Sequence, residues 1–162
     1  MGEMAQKISK INQDELLKIL NSAYAEEWLA YYQYWLGAKV AEGIERIKIA
    51  EEFMEHAEEE LKHAGWLAER IIQLGGTPIL NPEEWQKIAV CKYDAPADGN
   101  TETLVAQNLV AERCAVARYQ QICEMCGKED IETFRISEKI LKEEIEHEQE
   151  MEDFTADFAY YK

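Results

Sequence analysis

Two short stretches, "EEELKHAG" (58–65) and "KEEIEHEQ" (142–149), decide how this chain is interpreted. Each holds a glutamate followed three residues later by a histidine, Glu60 with His63 and Glu144 with His147. Two of the three histidines in the chain therefore lie in this pattern. However, 33 of the 162 residues are acidic, so Glu-x-x-His also arises readily by chance on a solvated helix face. The pattern needs support from the residues that precede it.

A further glutamate precedes each pair at nearly the same distance. Glu27 lies 33 positions before Glu60, and Glu112 lies 32 positions before Glu144. Both lie in helical patterns rich in aromatic and aliphatic residues, "YAEEWLAYYQYW" (24–35) and "LVAERCAVARYQ" (109–120). The repeat predicts two similar helical hairpins, each with a glutamate on its first helix and Glu-x-x-His on its second.

A tyrosine follows each first-helix glutamate by seven residues, Tyr34 after Glu27 and Tyr119 after Glu112. Seven residues make two helical turns, so each tyrosine lies on the helix face of its glutamate. Two interpretations stay open at this point. The tyrosines act beside a functional site, or they pack in the core with a buried hydroxyl hydrogen bond.

The repeated polar residues are of the types that bind metal ions. An unpaired buried carboxylate is strongly unfavourable, and the faces of Glu27 and Glu112 carry no Lys or Arg that would neutralise it. Two divalent cations would balance the surplus negative charge, and carboxylate with imidazole favours iron or manganese. The repeat therefore predicts a dinuclear metal site formed by Glu27, Glu60, His63, Glu112, Glu144 and His147.

Periodicity and turn signals predict four long helices. The first runs from a capping box at Asn12–Glu15 to about residue 40, and the second runs from about residue 45 to 74. The third covers about 101–127, and the fourth runs from about residue 129 almost to the chain end. Residues 76–100 contain all three prolines and form a crossover, in which "NPEEWQKI" (81–88) predicts a short helix. These elements predict an all-α, ferritin-like four-helix bundle with one long crossover, as a single domain over residues 1–162 and without strands.

Composition excludes several classes of protein. A net charge of −16 opposes binding to nucleic-acid phosphates and favours attraction of cations. The chain has no apolar stretch long enough to span a membrane, and the polar start "MGEMAQKISK" lacks the apolar core of a signal peptide. We therefore expect a cytoplasmic protein. In that compartment cysteines are expected as thiols rather than as a disulfide framework; they are Cys91, Cys114, Cys123 and Cys126.

Two segments resemble known signatures. "EEWLAYYQYWLGAKV" (26–40) resembles the first-helix signature of bacterioferritins, and "EEELKHAGWLAERIIQLGGTP" (58–78) resembles their second-helix signature. Together with the glutamate and Glu-x-x-His repeat, the chain resembles the ferritin-like di-iron superfamily, and within it the Dps-like proteins that carry a bacterioferritin-type ferroxidase centre. The resemblance covers the four long helices.

The resemblance implies a function and a role for each residue. It implies a ferroxidase and iron-storage shell that oxidises Fe(II) with oxygen or hydrogen peroxide, protects against oxidative stress and binds two iron ions per subunit, with manganese or zinc as substitutes. The bridging ligands would be Glu60 and Glu144, the terminal carboxylates Glu27 and Glu112, and the nitrogen ligands His63 and His147. Tyr34 and Tyr119 would orient the carboxylates and donate an electron.

The sequence departs from the family pattern at several places, and each departure leads to a further expectation. Bacterioferritins ligate haem through a methionine after the bridging second-helix glutamate, but this position is Leu61, and Met54 does not replace it, so haem is not expected. The crossover helix and the fifteen residues after His147 favour a Dps-like dodecamer over a 24-mer. The first ten residues offer only Lys7 and Lys10 as basic side chains, so DNA binding is not expected.

The third histidine and the cysteines are left open by the sequence. His56 either hydrogen-bonds a ligand carboxylate, lies beside a metal route, or is a helix-surface histidine. The resemblance implies a cysteine pair near the metals, formed by Cys91 with Cys123 or Cys126. Cys114 is expected to pack as a small buried hydrophobe.

Two rival functions also fit the predicted helices. One is an enzyme without storage, either a rubrerythrin-like peroxidase or a manganese catalase-like protein. The chain lacks the second CxxC pair that rubrerythrins usually add. The other is a non-enzymatic helical assembly in which the six residues form only a structural ion cluster.

Overall fold

The computed structural model describes residues 3–160. A short helix α1 (Glu3–Lys7) precedes the long helices α2 (Gln13–Val40) and α3 (Arg46–Gln73). The crossover contains a 3₁₀ turn (Pro82–Glu84) that continues into α4 (Trp85–Ile88), and the long helices α5 (Thr101–Cys126) and α6 (Ile131–Tyr160) follow. Residues 3–160 contain no β-strand, and an isolated bridge joins Glu42 to Asn100. The predicted four long helices and crossover helix are confirmed.

The long helices form two hairpins. Helix α2 packs mainly on α3, α5 packs mainly on α6, and the crossover helix α4 lies against α2. Within the described part of the chain, no helix is both long enough and apolar enough to pass through a membrane.

Side-chain caps fix most helix starts. Asn12 accepts the amide of Glu15 at 3.0 Å, and Asn100 accepts the amide of Glu102 at 2.9 Å. Such caps satisfy amides that have no partner within the helix. The last long helix starts at Ile131 rather than near residue 129, because Asp130 accepts the amide of Thr133 at 2.9 Å and so acts as the cap.

Two apolar clusters fill the bundle, one on each side of a polar layer. Along α2, Leu16 and Leu20 belong to the first cluster and Tyr34 to the second, with Glu27 between them. The other three long helices show the same alternation. The core therefore holds the predicted site at its middle, where each long helix contributes polar side chains.

The prediction of thiols holds for two of the four cysteines, and the predicted pairing of Cys91 and packing of Cys114 are wrong. Cys91 and Cys114 form a disulfide with a Cα–Cα distance of 5.7 Å, whereas Cys123 and Cys126 are free thiols. The crossover docks beside Cys114, while Cys123 lies nine residues further along α5, about 13 Å away at the helical rise. Cys91 therefore cannot reach the pair that the sequence favoured, and Cys114 is not simply a buried hydrophobe.

Two hydrogen bonds hold this part of the crossover in place. The Ser22 hydroxyl donates to the carbonyl of Ile88 at 2.9 Å, and the Val90 amide donates to Glu26 at 2.8 Å. Arg118 of α5 also lies 3.3 Å from Glu26, so its charge offsets part of the burial that raises the pKa of this carboxyl. These contacts fix the position from which Cys91 reaches α5.

A candidate dinuclear metal centre

The structure brings all six predicted ligand residues together in the polar layer. They are at most 3% exposed, and they come from all four long helices: Glu27, Glu60, His63, Glu112, Glu144 and His147. Each sits one or two turns from apolar core residues of its own helix, so the packing of the bundle fixes its direction. The site has no lysine or arginine among its members.

The first half of the site surrounds His63. Nδ1 of His63 lies 3.2 Å from Glu27 Oε2, 3.3 Å from Glu60 Oε2 and 3.2 Å from Glu144 Oε1. One ligand atom from each of these four residues lies within 4.8 Å of the others. This half could hold one metal ion.

The second half surrounds His147 in the same way. Nδ1 of His147 lies 3.5 Å from Glu60 Oε1, 3.8 Å from Glu112 Oε2 and 3.8 Å from Glu144 Oε2. Glu60 and Glu144 belong to both halves. Their carboxylates therefore lie between the two halves, where bridging ligands of a metal pair would stand.

Several atoms that face the site make no hydrogen bond, although they lie close to other ligand atoms. These buried atoms make no hydrogen bond: Glu60 Oε1, Glu112 Oε2, Glu144 Oε1 and His147 Nδ1. Buried polar atoms are normally satisfied, and a group of them at one place needs an explanation. Four carboxylates and two imidazole nitrogens form the ligand set that suits iron or manganese ions. The residues therefore fit a pair of such ions.

The outer nitrogens of both histidines are held by glutamates that the sequence analysis missed. Nε2 of His63 lies 2.7 Å from Glu143, and Nε2 of His147 lies 2.8 Å from Glu59. A carboxylate on one ring nitrogen fixes the tautomer and orients the other nitrogen toward a metal. The sequence held a signal, since both motifs read Glu-Glu-x-x-His.

The two tyrosines cross between the hairpins. The Tyr34 hydroxyl donates to Glu112, and the Tyr119 hydroxyl donates to Glu27, so each tyrosine bonds the glutamate of the other hairpin. Burial and the adjacent carboxylate raise the pKa of both hydroxyls, which stay neutral and donate. The predicted contact with carboxylates of the site is present, although with the opposite partner from the one that shares the helix face.

Burial and mutual repulsion divide the carboxylates into two kinds. Burial, with the nearby charge of Glu60, raises the pKa of Glu27, and burial with the charge of Glu144 raises that of Glu112. Burial also opposes ionisation of the two central carboxyls, but their close contacts with the two histidines outweigh burial and lower the pKa of Glu60 and Glu144. The central pair is therefore ionised.

The pKa values of the two histidines reflect the negative charge of the carboxylates around them. Burial disfavours the charged form of His147, but the nearby carboxylates of Glu144 and Glu60 outweigh burial and raise its pKa to about 12. The pKa of His63 is raised by the same kind of contacts against the same effect of burial. A site that stabilises positive charge this strongly is suited to cations.

A small cavity connects this site to the crossover. Its volume is about 30 Å³, and its walls include Glu27, Tyr34 and Glu112 on the inner side and Cys91 and Tyr93 on the outer side. It has room for about one or two molecules the size of water. The disulfide-bonded crossover therefore forms part of the wall of a cavity that reaches the carboxylates.

His56 lies beside the site rather than on the helix surface. It is 2% exposed, and its ring stacks on that of His147 with a centroid distance of 4.0 Å. Its Nε2 atom lies 2.6 Å from Glu150. The expectation of a surface histidine is wrong, and the hydrogen bond to a carboxylate of the six-residue site is not present either.

Four long helices around a buried cluster of glutamates and histidines define a ferritin-like protein. The family model for the ferritin-like domain matches residues 17–159. The chain belongs to the ferritin-like family.

Individual proteins of known sequence or structure are similar to the chain over most of its length. The chain is 36% identical over 140 residues to the DNA protection during starvation protein of Pyrococcus furiosus, which covers 85% of this chain and 75% of the relative. It is 30% identical over 138 residues to the bacterioferritin of Desulfovibrio desulfuricans, covering 82% and 70%. The structure of a dodecameric thioferritin, the bacterioferritin-related protein of Bacteroides fragilis, superposes with a TM-score of 0.96 at 46% identity and covers 99% of this chain and 96% of that chain. The resemblance and the ferritin-like fold predicted from the sequence are confirmed.

Proposed function

We propose that the protein is a ferroxidase and iron-storage protein that oxidises Fe(II) with hydrogen peroxide or oxygen. The observation that carries the proposal is the buried set of four glutamates and two histidines, with two carboxylates shared between two equivalent halves. Membership of the ferritin-like family supports it. The shared carboxylates would hold two Fe(II) substrate ions side by side.

The chemistry requires two electrons at one place. Two Fe(II) ions supply two electrons, which with two protons reduce one hydrogen peroxide to two waters. Glu60 and Glu144 would hold both ions, and the outer carboxylates Glu59 and Glu143 would keep the imidazoles aimed inward. Paired electron transfer avoids release of a hydroxyl radical and so protects against oxidative stress.

We propose that the ferric product is stored inside a homododecameric shell. The likeness to the dodecameric thioferritin of Bacteroides fragilis over 99% of this chain supports this state. The net charge of −16 per chain supplies the acidic surface that mineral nucleation would need. Haem-free function, a cytoplasmic location and the lack of DNA binding stay predictions.

The first experiment follows oxygen and peroxide consumption after addition of two Fe(II) per subunit to purified, chelator-treated protein. We expect fast oxidation in the parent and loss to the rate of protein-free buffer in Glu60→Ala/His63→Ala, because both halves of the site lose a ligand. The control variant Glu58→Ala/Lys62→Ala removes two exposed side chains of the same helix and should oxidise iron like the parent.

Two results would contradict the proposal. Equal, slow oxidation in parent and site variant would make the cluster structural. Consumption of peroxide without retention of iron in the protein fraction would instead favour a rubrerythrin-like peroxidase or a manganese catalase-like enzyme.

A further inference from the structure

A second group of metal-ligating side chains lies outside the six-residue centre. It consists of Glu52 and His56 on α3 and Glu150 on α6, and one ligand atom from each lies within 4.8 Å of the others. Nε2 of His56 is 2.6 Å from Glu150 Oε2 and 3.8 Å from Glu52 Oε1. Glu52 and His56 are four residues apart and share a helix face. Two helices from different hairpins therefore converge on this point.

The histidine of this group is held rigidly. His56 is 2% exposed, stacks on His147 at 4.0 Å with an interplanar angle of 20°, and meets Tyr34 edge-on at 4.8 Å. Its Nδ1 atom is buried and makes no hydrogen bond. The ring is thus fixed by packing, with Nε2 presented to the two carboxylates.

The group lies at an acidic cleft of about 170 Å³. Six residues line the cleft, and four of them are acidic. The six are Lys48, Glu52, Glu150, Asp153, Phe154 and Asp157. The side chains of Glu52 and Glu150 are 27% and 45% exposed. Burial and the adjacent charge of Glu150 raise the pKa of Glu52, as expected for two carboxylates crowded at one point. The cleft therefore gives solvent access to the two carboxylates that lie beside His56 Nε2.

We propose that Glu52, His56 and Glu150 bind a third divalent transition-metal ion, separate from the dinuclear centre. One imidazole and two carboxylates suit Fe(II), Mn(II), Co(II) or Zn(II), and water from the cleft completes the coordination. Three protein ligands with open positions are typical of sites that exchange their ligands, in contrast to closed structural sites. Only the identity of the cellular ion as Fe(II) rests on the proposed function. The competing description is a simple ion pair between protonated His56 and Glu150.

Counting bound ions separates these descriptions. Assembled, chelator-treated protein is titrated with Co(II) in 0.15 M salt. We expect three ions per subunit in the parent and two in Glu52→Gln/Glu150→Gln. The matched variant Glu55→Gln/Glu138→Gln removes two exposed acids from the same two helices and should still bind three. The same number of ions in the parent and in Glu52→Gln/Glu150→Gln would leave only the ion pair.

A second variant keeps this test independent of the proposed function. Glu60→Ala/Glu144→Ala removes both shared carboxylates of the dinuclear centre, and we expect it to retain one Co(II) per subunit. Circular dichroism and size-exclusion chromatography check that each variant folds and assembles. Loss of every ion from this folded variant would overturn the third site.

Anomalous diffraction from Co(II)-soaked crystals locates the ions directly. We expect a peak about 2.1 Å from His56 Nε2, a usual imidazole–metal distance, besides two peaks among the six central residues. Two central peaks without the third would overturn this inference alone. A peak at His56 without the central pair would overturn the proposed function and leave this inference standing.

Discussion

In His63 and His147 both ring nitrogens lie near carboxylates, Nδ1 inside the site and Nε2 on its outer side. The carboxylate beside each Nε2 comes from the opposite hairpin. Glu143 of α6 holds His63 of α3, and Glu59 of α3 holds His147 of α6. Each contact fixes which nitrogen faces inward. The glutamates would therefore contribute to metal binding without belonging to the cluster that would ligate the ions.

The variant Glu143→Ala tests this contribution. Loss of the carboxylate at His63 Nε2 should weaken binding at that half of the centre by about 10–100-fold, the usual effect of such outer contacts. Isothermal titration with Co(II) measures the affinity. Glu138→Ala, an exposed acid on the same helix, is the control. Equal affinity in the two variants would show that Glu143 is an ordinary surface charge.

The repeated spacing predicted the six central residues because it recurs in both hairpins. The same repeat includes Glu59 and Glu143, but their contacts with the histidines depend on how the opposite hairpin packs, which spacing along one helix does not show. His56 was left open for the same reason. Its burial comes from the ring of His147 on another helix, which no local pattern describes.

At the scale of helices, one buried ion pair joins the end of α3 to the start of α6. Arg70 donates from Nη2 to both carboxylate oxygens of Asp130, at 2.9 and 2.8 Å, and from Nε to Thr133 at 2.8 Å. Arg70 and Asp130 are each 1% exposed. Burial alone would raise the pKa of the Asp130 carboxyl. Hydrogen bonds from the Thr133 amide and Arg70 outweigh burial and hold this pKa below its usual range.

This pair predicts a pH-dependent loss of stability. Asp130→Asn should lower the free energy of unfolding by about 3 kcal/mol at pH 7, since it leaves the buried Arg70 uncompensated. A lowered native pKa stabilises the fold above the unfolded value of about 3.9, and the stabilisation is lost as the pH falls through the native pKa. The difference in the free energy of unfolding between parent and variant should therefore be constant from about pH 5 to 8 and shrink below about pH 4.

Urea unfolding at a fixed protein concentration measures this difference at each pH. The control Glu129→Gln changes the neighbouring acid, whose side chain is 56% exposed and lies 4.0 Å from Lys10. It should cost less than about 1 kcal/mol. A difference for Asp130→Asn in the free energy of unfolding that does not shrink as the pH falls below about 4 would show that the ion pair is not its cause.

Helix boundaries followed from the sequence where a cap is local, as at Asn12 and Asn100. The position of the crossover did not, because it depends on contacts of Ser22 and Glu26 with a segment more than sixty residues away. The pairing of Cys91 with Cys114 follows from that docking. A thiol was therefore expected where the folded chain forms a disulfide.

For the whole molecule, assembly as a dodecamer predicts a definite mass. Light scattering of the purified protein should give about twelve times the 18.8 kDa of the chain. A mass of one chain, or of twenty-four, would contradict this state. Parallel measurement of Glu58→Ala/Lys62→Ala controls for changes of exposed charge.

The cross-connections between the hairpins give the centre an approximate twofold symmetry. Glu60 and Glu144 lie 84 positions apart, as do His63 and His147, and Glu27 and Glu112 lie 85 apart. A single helical hairpin would carry half of the ligands, and two identical hairpins facing each other would complete the set. The chain thus has the organisation expected from duplication and fusion of a gene for one hairpin, with the crossover as the segment that joined the copies.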